Sequence, residues 1–108
     1  MKVALITGGS SGMGEATAKE LARRGWRIAV MFSRNKDEAD RVAKAVLDKW
    51  GRIDALVNSA GTTKFVAHGD LEGLSAEDFE AIFRVNLIGP FQMIRACLPA
   101  LKASKGCI

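Results

Sequence analysis

Three glycines, at positions 8, 12 and 14 of the stretch Thr7-Gly8-Gly9-Ser10-Ser11-Gly12-Met13-Gly14, constrain this chain more than any other feature. The stretch follows the aliphatic run Val3-Ala4-Leu5-Ile6 and leads into Glu15-Ala16-Thr17-Ala18-Lys19-Glu20-Leu21-Ala22, which has helical character. A strand, a glycine-rich turn and a helix in that order form a corner suited to phosphate. Glycine permits positive φ and lets a ligand approach where a Cβ would stand. The free N–H groups and the positive dipole end of the next helix attract an anion. The spacing is G-x-x-x-G-x-G, which differs from the G-x-G-x-x-G dinucleotide fingerprint. An ordinary flexible turn would not need three glycines, a leading Thr and both flanking elements, so the stretch is read as a nucleotide site.

Around this corner the chain alternates strand and helix. Lys2–Ile6 and Trp26–Phe32 are aliphatic runs of the kind buried on both faces of a parallel sheet. The helix between them runs to about Arg24, with Ala18, Leu21 and Ala22 inward and Gly25 at its end. Asn35 is placed to cap a second helix, with Glu38 three residues later completing a capping box. Ala39, Val42, Ala43, Val46, Leu47 and Trp50 form one stripe of that helix, and Gly51 terminates it. A third strand covers Asp54–Asn58 and leaves through the small residues Ser59-Ala60-Gly61. Residues 62–74 read as loop. Ser75-Ala76-Glu77-Asp78 is a capping box opening a long apolar helix to Ala103, in which Gly89-Pro90 predicts a kink near Asn86 and Pro99 a second disturbance. Phe79, Ile82, Phe83, Leu87, Phe91, Ile94, Leu98 and Leu101 recur along it at three and four. Gly106-Cys107-Ile108 has the character of another strand's first step. The result is an α/β fold in one domain, residues 1–108.

Composition narrows the function classes. The chain of 108 residues is 48% hydrophobic and 26% charged, as globular domains are, with net charge +4. Its basic residues are scattered among acids without an aromatic-lined stripe, which argues against nucleic acid. Cys97 and Cys107 lack metal-ligand spacing and His68 is the sole histidine, so no metal is expected and both thiols are read as buried and free. The first strand starts at once and no apolar run is long enough to cross a bilayer, so a cytoplasmic protein is expected.

Three separated stretches together resemble the short-chain dehydrogenases/reductases. Thr7 to Gly14 is similar to the family's T-G-x-x-x-G-x-G cofactor turn. Asn58-Ser59-Ala60-Gly61 is similar to its N-N-A-G turn, with Ser59 replacing the second Asn. Val85-Asn86-Leu87-Ile88-Gly89 resembles its V-N-x-x-G segment. The resemblance implies a Rossmann-like, three-layer parallel sheet and hydride transfer between a nicotinamide dinucleotide and a carbonyl or alcohol, as in ketoacyl reductases. It assigns cofactor contacts to Thr7, Gly8, Ser10, Ser11, Gly12, Met13, Gly14, Ser33, Arg34, Asn58, Ala60 and Gly61. It makes Asn86 catalytic as part of a proton relay, beside the bland alternative that Asn86 satisfies backbone groups at a helix break. Phe32-Ser33-Arg34-Asn35-Lys36 holds two bases and no acid, which favours NADP over NAD. The family's pairing of the long helix with a neighbouring copy implies a homo-oligomer.

Two departures matter. Ser33–Asp40 resembles the start of one family helix, whereas Arg41–Asp54 resembles the end of the next, so about 25–30 residues, a helix and a strand, are missing between them. With them goes the acidic residue that touches the adenine ring. The catalytic Ser and Tyr-x-x-x-Lys are also not in this chain, which has no tyrosine. Three readings follow: a shortened oxidoreductase domain, an inactive nucleotide-binding module, or a piece of a longer enzyme. This sequence alone is expected to be inactive. If the chain is continuous, right-handed crossovers predict parallel strands in the order 2-1-3, a flavodoxin-like arrangement, with strand 2 an open edge and the two helices on opposite faces. A spatial break between Ser33 and Val42 would point instead to absent residues.

Overall fold

A computed structural model describes residues 1–31 and 35–108. Val3–Thr7 forms β1, Arg27–Met31 β2 and Ala55–Asn58 β3. Among the described residues they make a three-stranded sheet in the order β2-β1-β3, with both pairings parallel. This is the expected order, and β2 is an edge. Gly12–Arg23 forms α1 and Lys36–Trp50 forms α2. Period-two alternation along β1 sorts its side chains to two sides. Val3 and Leu5 join a core with Ala39, Ala43 and Val46 of α2, whereas Ala4 and Ile6 pack with Ala18 and Leu21 of α1. The two helices therefore lie on opposite faces of β1. Ala22 is exposed, one position off the inward stripe expected for it.

Helix α2 keeps its stripe in phase from Ala39 to Trp50. Asn35 accepts a hydrogen bond from the Glu38 N–H at 2.9 Å, and Gly51 follows as the left-handed cap. Residues 35–50 are thus one unbroken capped helix. Of the stretch from Ser33 to Val42, Ser33 and Arg34 lie outside the described residues.

The long helix divides into α3, Ala76–Phe83, a wide π-type turn over Arg84–Ile88, and α4, Gly89–Ser104. Ser75 and Asp78 form the reciprocal capping box. The break falls where expected and has a local cause: Pro90 has no N–H to offer the Asn86 carbonyl four residues back. Pro99 behaves differently. It lies inside α4 without ending it, because Pro99 and Arg95 are on the exposed side, where water can reach the Arg95 carbonyl. The apolar positions also serve two faces. Met93, Cys97 and Leu101 are buried with Ile94 against them, whereas Phe79, Phe83, Leu87, Phe91 and Leu98 are exposed.

At the far edge, Cys107 makes a parallel bridge to Ala55. Its N–H donates to the Asp54 carbonyl at 3.0 Å and its carbonyl accepts from the Leu56 N–H at 3.0 Å. The strand-like start read at Gly106–Ile108 is present as that one bridge. Cys97 is buried but Cys107 is exposed, which corrects the expectation of two buried thiols. The bridge holds the Cys107 main chain beside β3 and leaves its side chain outside the core.

Candidate functional site

The carboxyl ends of β1 and β3 bring the two small-residue turns together. Thr7 ends β1, is buried, and its Oγ1 accepts hydrogen bonds from the Ser59 N–H at 3.2 Å and the Ala60 N–H at 3.3 Å. A hydroxyl thus ties one turn to the other. Gly8 lets them touch, since a Cβ there would stand 2.7 Å from Ala60 Cα. Gly14 is buried where a Cβ would collide with the Gly8 carbonyl. Gly12 is the opposite case. Its φ is +56°, in the left-handed region, and nothing lies within 4 Å of where its Cβ would be. Its role is to turn the chain and leave space.

That space is a cavity of about 220 Å³ lined by Gly8, Ser10, Ser11, Gly12, Met13, Ser59, Ala60 and Gly61. Helix α1 opens onto it. Ser11 precedes the helix in extended conformation, and no side chain caps it. The first-turn N–H groups have no intrahelical acceptor, and their dipole end faces the same side. Met13 is 83% exposed at this opening. The one acid in the first turn, Glu15, is engaged by Lys19 at 2.7 Å, and that contact holds its carboxyl below the usual range. A larger cavity of about 370 Å³, lined in part by Leu47, Arg52, Ala100 and Ser104, lies at the opposite end of the sheet. Ligands of open α/β sheets sit at the carboxyl ends of the strands, and of these two cavities the smaller is the one there.

Seven of the residues singled out from sequence therefore meet around one cavity: Gly8, Ser10, Ser11, Gly12, Met13, Ala60 and Gly61. Thr7 and Gly14 stand behind its wall. Asn58 pairs in register with Thr7, and its Oδ1 is buried with no hydrogen-bond partner among the described residues. Ser33 and Arg34 lie outside the described residues. Lys36, the second base of that stretch, forms an ion pair with Asp40 at 3.0 Å. Asn86 uses both arms of its amide on one backbone: Oδ1 accepts from the Thr62 N–H at 2.8 Å and Nδ2 donates to the Thr62 carbonyl at 2.9 Å. Its Oδ1 would be 3.7 Å from a Cβ at Gly61, so it stands at the cavity's rim. Sequence reasoning passed over Ser59, which lines the cavity, and Thr62, the partner of Asn86. Ser59's place inside the small-residue turn was the signal available; nothing marked Thr62.

Comparison with known proteins agrees with this geometry. The family model described as short chain dehydrogenase matches residues 2–49, and that described as enoyl-(acyl carrier protein) reductase matches residues 33–108. The chain belongs to the short-chain dehydrogenase/reductase family. The 3-oxoacyl-[acyl-carrier-protein] reductase of Synechocystis is 34% identical over 122 residues, covering 88% of this chain and 48% of that protein. The 3-dehydrosphinganine reductase of Arabidopsis thaliana is 36% identical over 126 residues, covering 94% of this chain and 37% of that one. Among solved structures, an alcohol dehydrogenase from Thermococcus sibiricus complexed with 5-hydroxy-NADP superimposes with a TM-score of 0.86 at 31% identity, over 98% of this chain and 55% of that chain. The chain spans about half the length of the first curated relatives it matches.

The alignments also measure the shortening. Since 88% of 108 residues is about 95, about 27 of the 122 positions aligned with the cyanobacterial reductase meet no residue here. For the plant enzyme, 94% is about 102 of 126 positions, leaving about 24. The two family-model matches overlap on residues 33–49, which include most of α2.

Proposed function

We propose that residues 1–108 form the cofactor-binding part of an NAD(P)-dependent oxidoreductase that transfers hydride between a nicotinamide and a carbonyl or alcohol. The observation that carries this reading is the uncapped N-terminus of α1 facing the cavity beside the open side of Gly12. Those features fit a pyrophosphate. The N–H groups from Ser11 to Gly14 and the hydroxyls of Ser10 and Ser11 would hold it, with Met13 covering one side and Asn58, Ala60 and Gly61 behind the ribose. A bound nicotinamide would supply or accept the hydride.

Asn86 belongs to the substrate side. Its amide is committed to Thr62, so its contribution to a proton relay is its main-chain carbonyl, which lacks an α-helical donor at Pro90 and is available to a water. The chain has no tyrosine, so these residues bind and position rather than donate the substrate proton. Ser33 and Arg34, in a stretch Phe32-Ser33-Arg34-Asn35-Lys36 that holds two bases and no acid, support NADP over NAD. The exposed apolar positions of α3 and α4 support a homo-oligomer, and a cytoplasmic location accords with the family's chemistry. Among the described residues no helix is long and apolar enough to cross a membrane.

Calorimetric titration with NADPH and NADH tests the reading. NADPH should bind the wild type more tightly, and Gly12→Val should remove binding by filling the phosphate's space. Gly25 also has positive φ and open surroundings, so Gly25→Val controls for backbone strain and should keep its affinity. Equal NADPH affinity in wild type and Gly12→Val would overturn the proposal.

A further inference from the structure

Among the described residues, strand β2 is hydrogen-bonded to a neighbouring strand on one side only. The Arg27 N–H donates to the Lys2 carbonyl at 2.8 Å, and the Met31 carbonyl accepts from the Gly8 N–H at 3.3 Å. By the period of two, Arg27, Ala29 and Met31 turn their backbone groups toward β1, and Ile28 and Val30 turn theirs outward. Two N–H and two C=O groups are thus presented along a bare edge, and Val30 is 48% exposed. Beside that edge runs a groove of about 350 Å³ between β2 and α2, floored by Ala29, Val42, Val46 and Trp50, with Arg41 and Lys49 on its rim. Neither cation has an ion-pair partner among the described residues, whereas the neighbouring Lys36 and Lys44 on α2 are paired with Asp40 and Asp48. Arg27, on the same face of β2 as Ala29, adds a third cation with no ion-pair partner among the described residues, and Lys49 rests its ammonium 4.9 Å from the Trp50 ring centroid.

We propose that the open edge of β2 and the groove beside it form a docking site for an extended acidic segment of a partner polypeptide. The segment adds a fourth parallel or antiparallel strand, satisfying the outward backbone groups of Ile28 and Val30. One apolar side chain enters the groove between β2 and α2, and carboxylates on either side meet Arg41 and Lys49. Charge selects the occupant. A second copy of this chain brought edge to edge would set Arg41 and Lys49 against their own kind, and like charges across an interface are excluding. A nucleic acid would use the cations but neither the strand edge nor the apolar floor. The site does not depend on the nucleotide reading, since it shares no lining residue with the cavity at Gly12.

A fluorescein-labelled heptapeptide alternating glutamate and valine is the probe, read by anisotropy against the wild-type chain. Saturable binding is expected, unchanged by saturating NADPH and absent for the peptide with lysine in place of glutamate. The double variant Arg41→Glu/Lys49→Glu, both exposed, should bind roughly tenfold or more weakly. Val30→Pro removes an outward N–H without touching the ladder to β1, and should abolish binding while circular dichroism shows the fold retained. Four results would overturn the proposal: no saturable binding to the wild type, charge-reversed protein binding equally well, displacement by NADPH, or an oligodeoxynucleotide binding wild type and Val30→Pro alike. Edge-dependent dimerisation of the wild type that excludes the peptide would also overturn it, in favour of a second copy.

Discussion

Thr7 ties two turns of the chain together through its hydroxyl. Its Oγ1 receives two backbone N–H groups from across the sheet, so the distance between the glycine turn and the Ser59–Gly61 turn depends on one oxygen. Thr7→Val keeps shape and removes that acceptor, leaving two partly buried donors unsatisfied. We expect it to cost roughly 1–3 kcal/mol in urea unfolding and to weaken nucleotide binding, with Thr7→Ser recovering most of both. Asp54 plays a similar part at the other end of β1. It is buried, accepts the Val3 N–H at 2.8 Å, and receives Arg52 at 2.9 and 2.6 Å. Arg52 chiefly, helped by the Val3 N–H, holds its carboxyl below the ordinary aspartate value of 3.8. A carboxylate lowered on folding stabilises fully above its unfolded pKa and loses that contribution as pH falls through the folded one. The stability gap between wild type and Asp54→Asn should therefore be flat from pH 7 to about 5 and close progressively below 3.8. A thermal-denaturation series checks it, and a gap as large at pH 2 as at pH 7 would remove Asp54 as the cause. Cys97 needs no such role, since burial pushes its thiol up to about 11 and leaves it unreactive.

At the scale of elements, the π-type turn between α3 and α4 is what puts Asn86 in reach of Thr62. Pro90 and Gly89 made the break legible in the sequence, as capping residues made Asn35 and Ser75 legible. Pro99 sits within α4 without ending it because proline is tolerated on a solvated helix face, and exposure is a property of the fold and not of the dipeptide. The glycine turn was readable because φ and close approach admit few residues; Thr62 was not, because it contributes through backbone that any residue has. Asn86→Ala should free the start of the 62–74 loop. Hydrogen exchange at the Thr62 N–H should rise by roughly tenfold or more, and global stability should fall by about 1–2 kcal/mol. Asn86→Asp, which keeps the acceptor and loses the donor, should fall between. Exchange at Thr62 unchanged in Asn86→Ala would show that the loop is held by other contacts.

For the whole molecule, α2 alone connects β2 to β3, and the order β2-β1-β3 follows from right-handed crossing with that helix. The resulting body is long, 51 × 28 × 19 Å. Ala76 to Ser104, ~43 Å at 1.5 Å per residue, outruns a five-residue strand more than twofold. Its inner face is satisfied by α2 and β3, but Phe83 and Leu87 remain 54% and 60% exposed in line with Phe79 and Phe91. An apolar row of this kind on a small domain favours self-association, and copies related by a twofold axis would place the row against itself. We expect a dimer by light scattering at roughly tens of micromolar protein. Phe83→Glu with Leu87→Glu puts like charges opposite one another at that contact and should give a monomer with unchanged circular dichroism, whereas Arg41→Glu/Lys49→Glu on the far edge should leave the mass alone. A monodisperse wild-type monomer, or a dimer indifferent to Phe83 and Leu87, would move the interface off this helix.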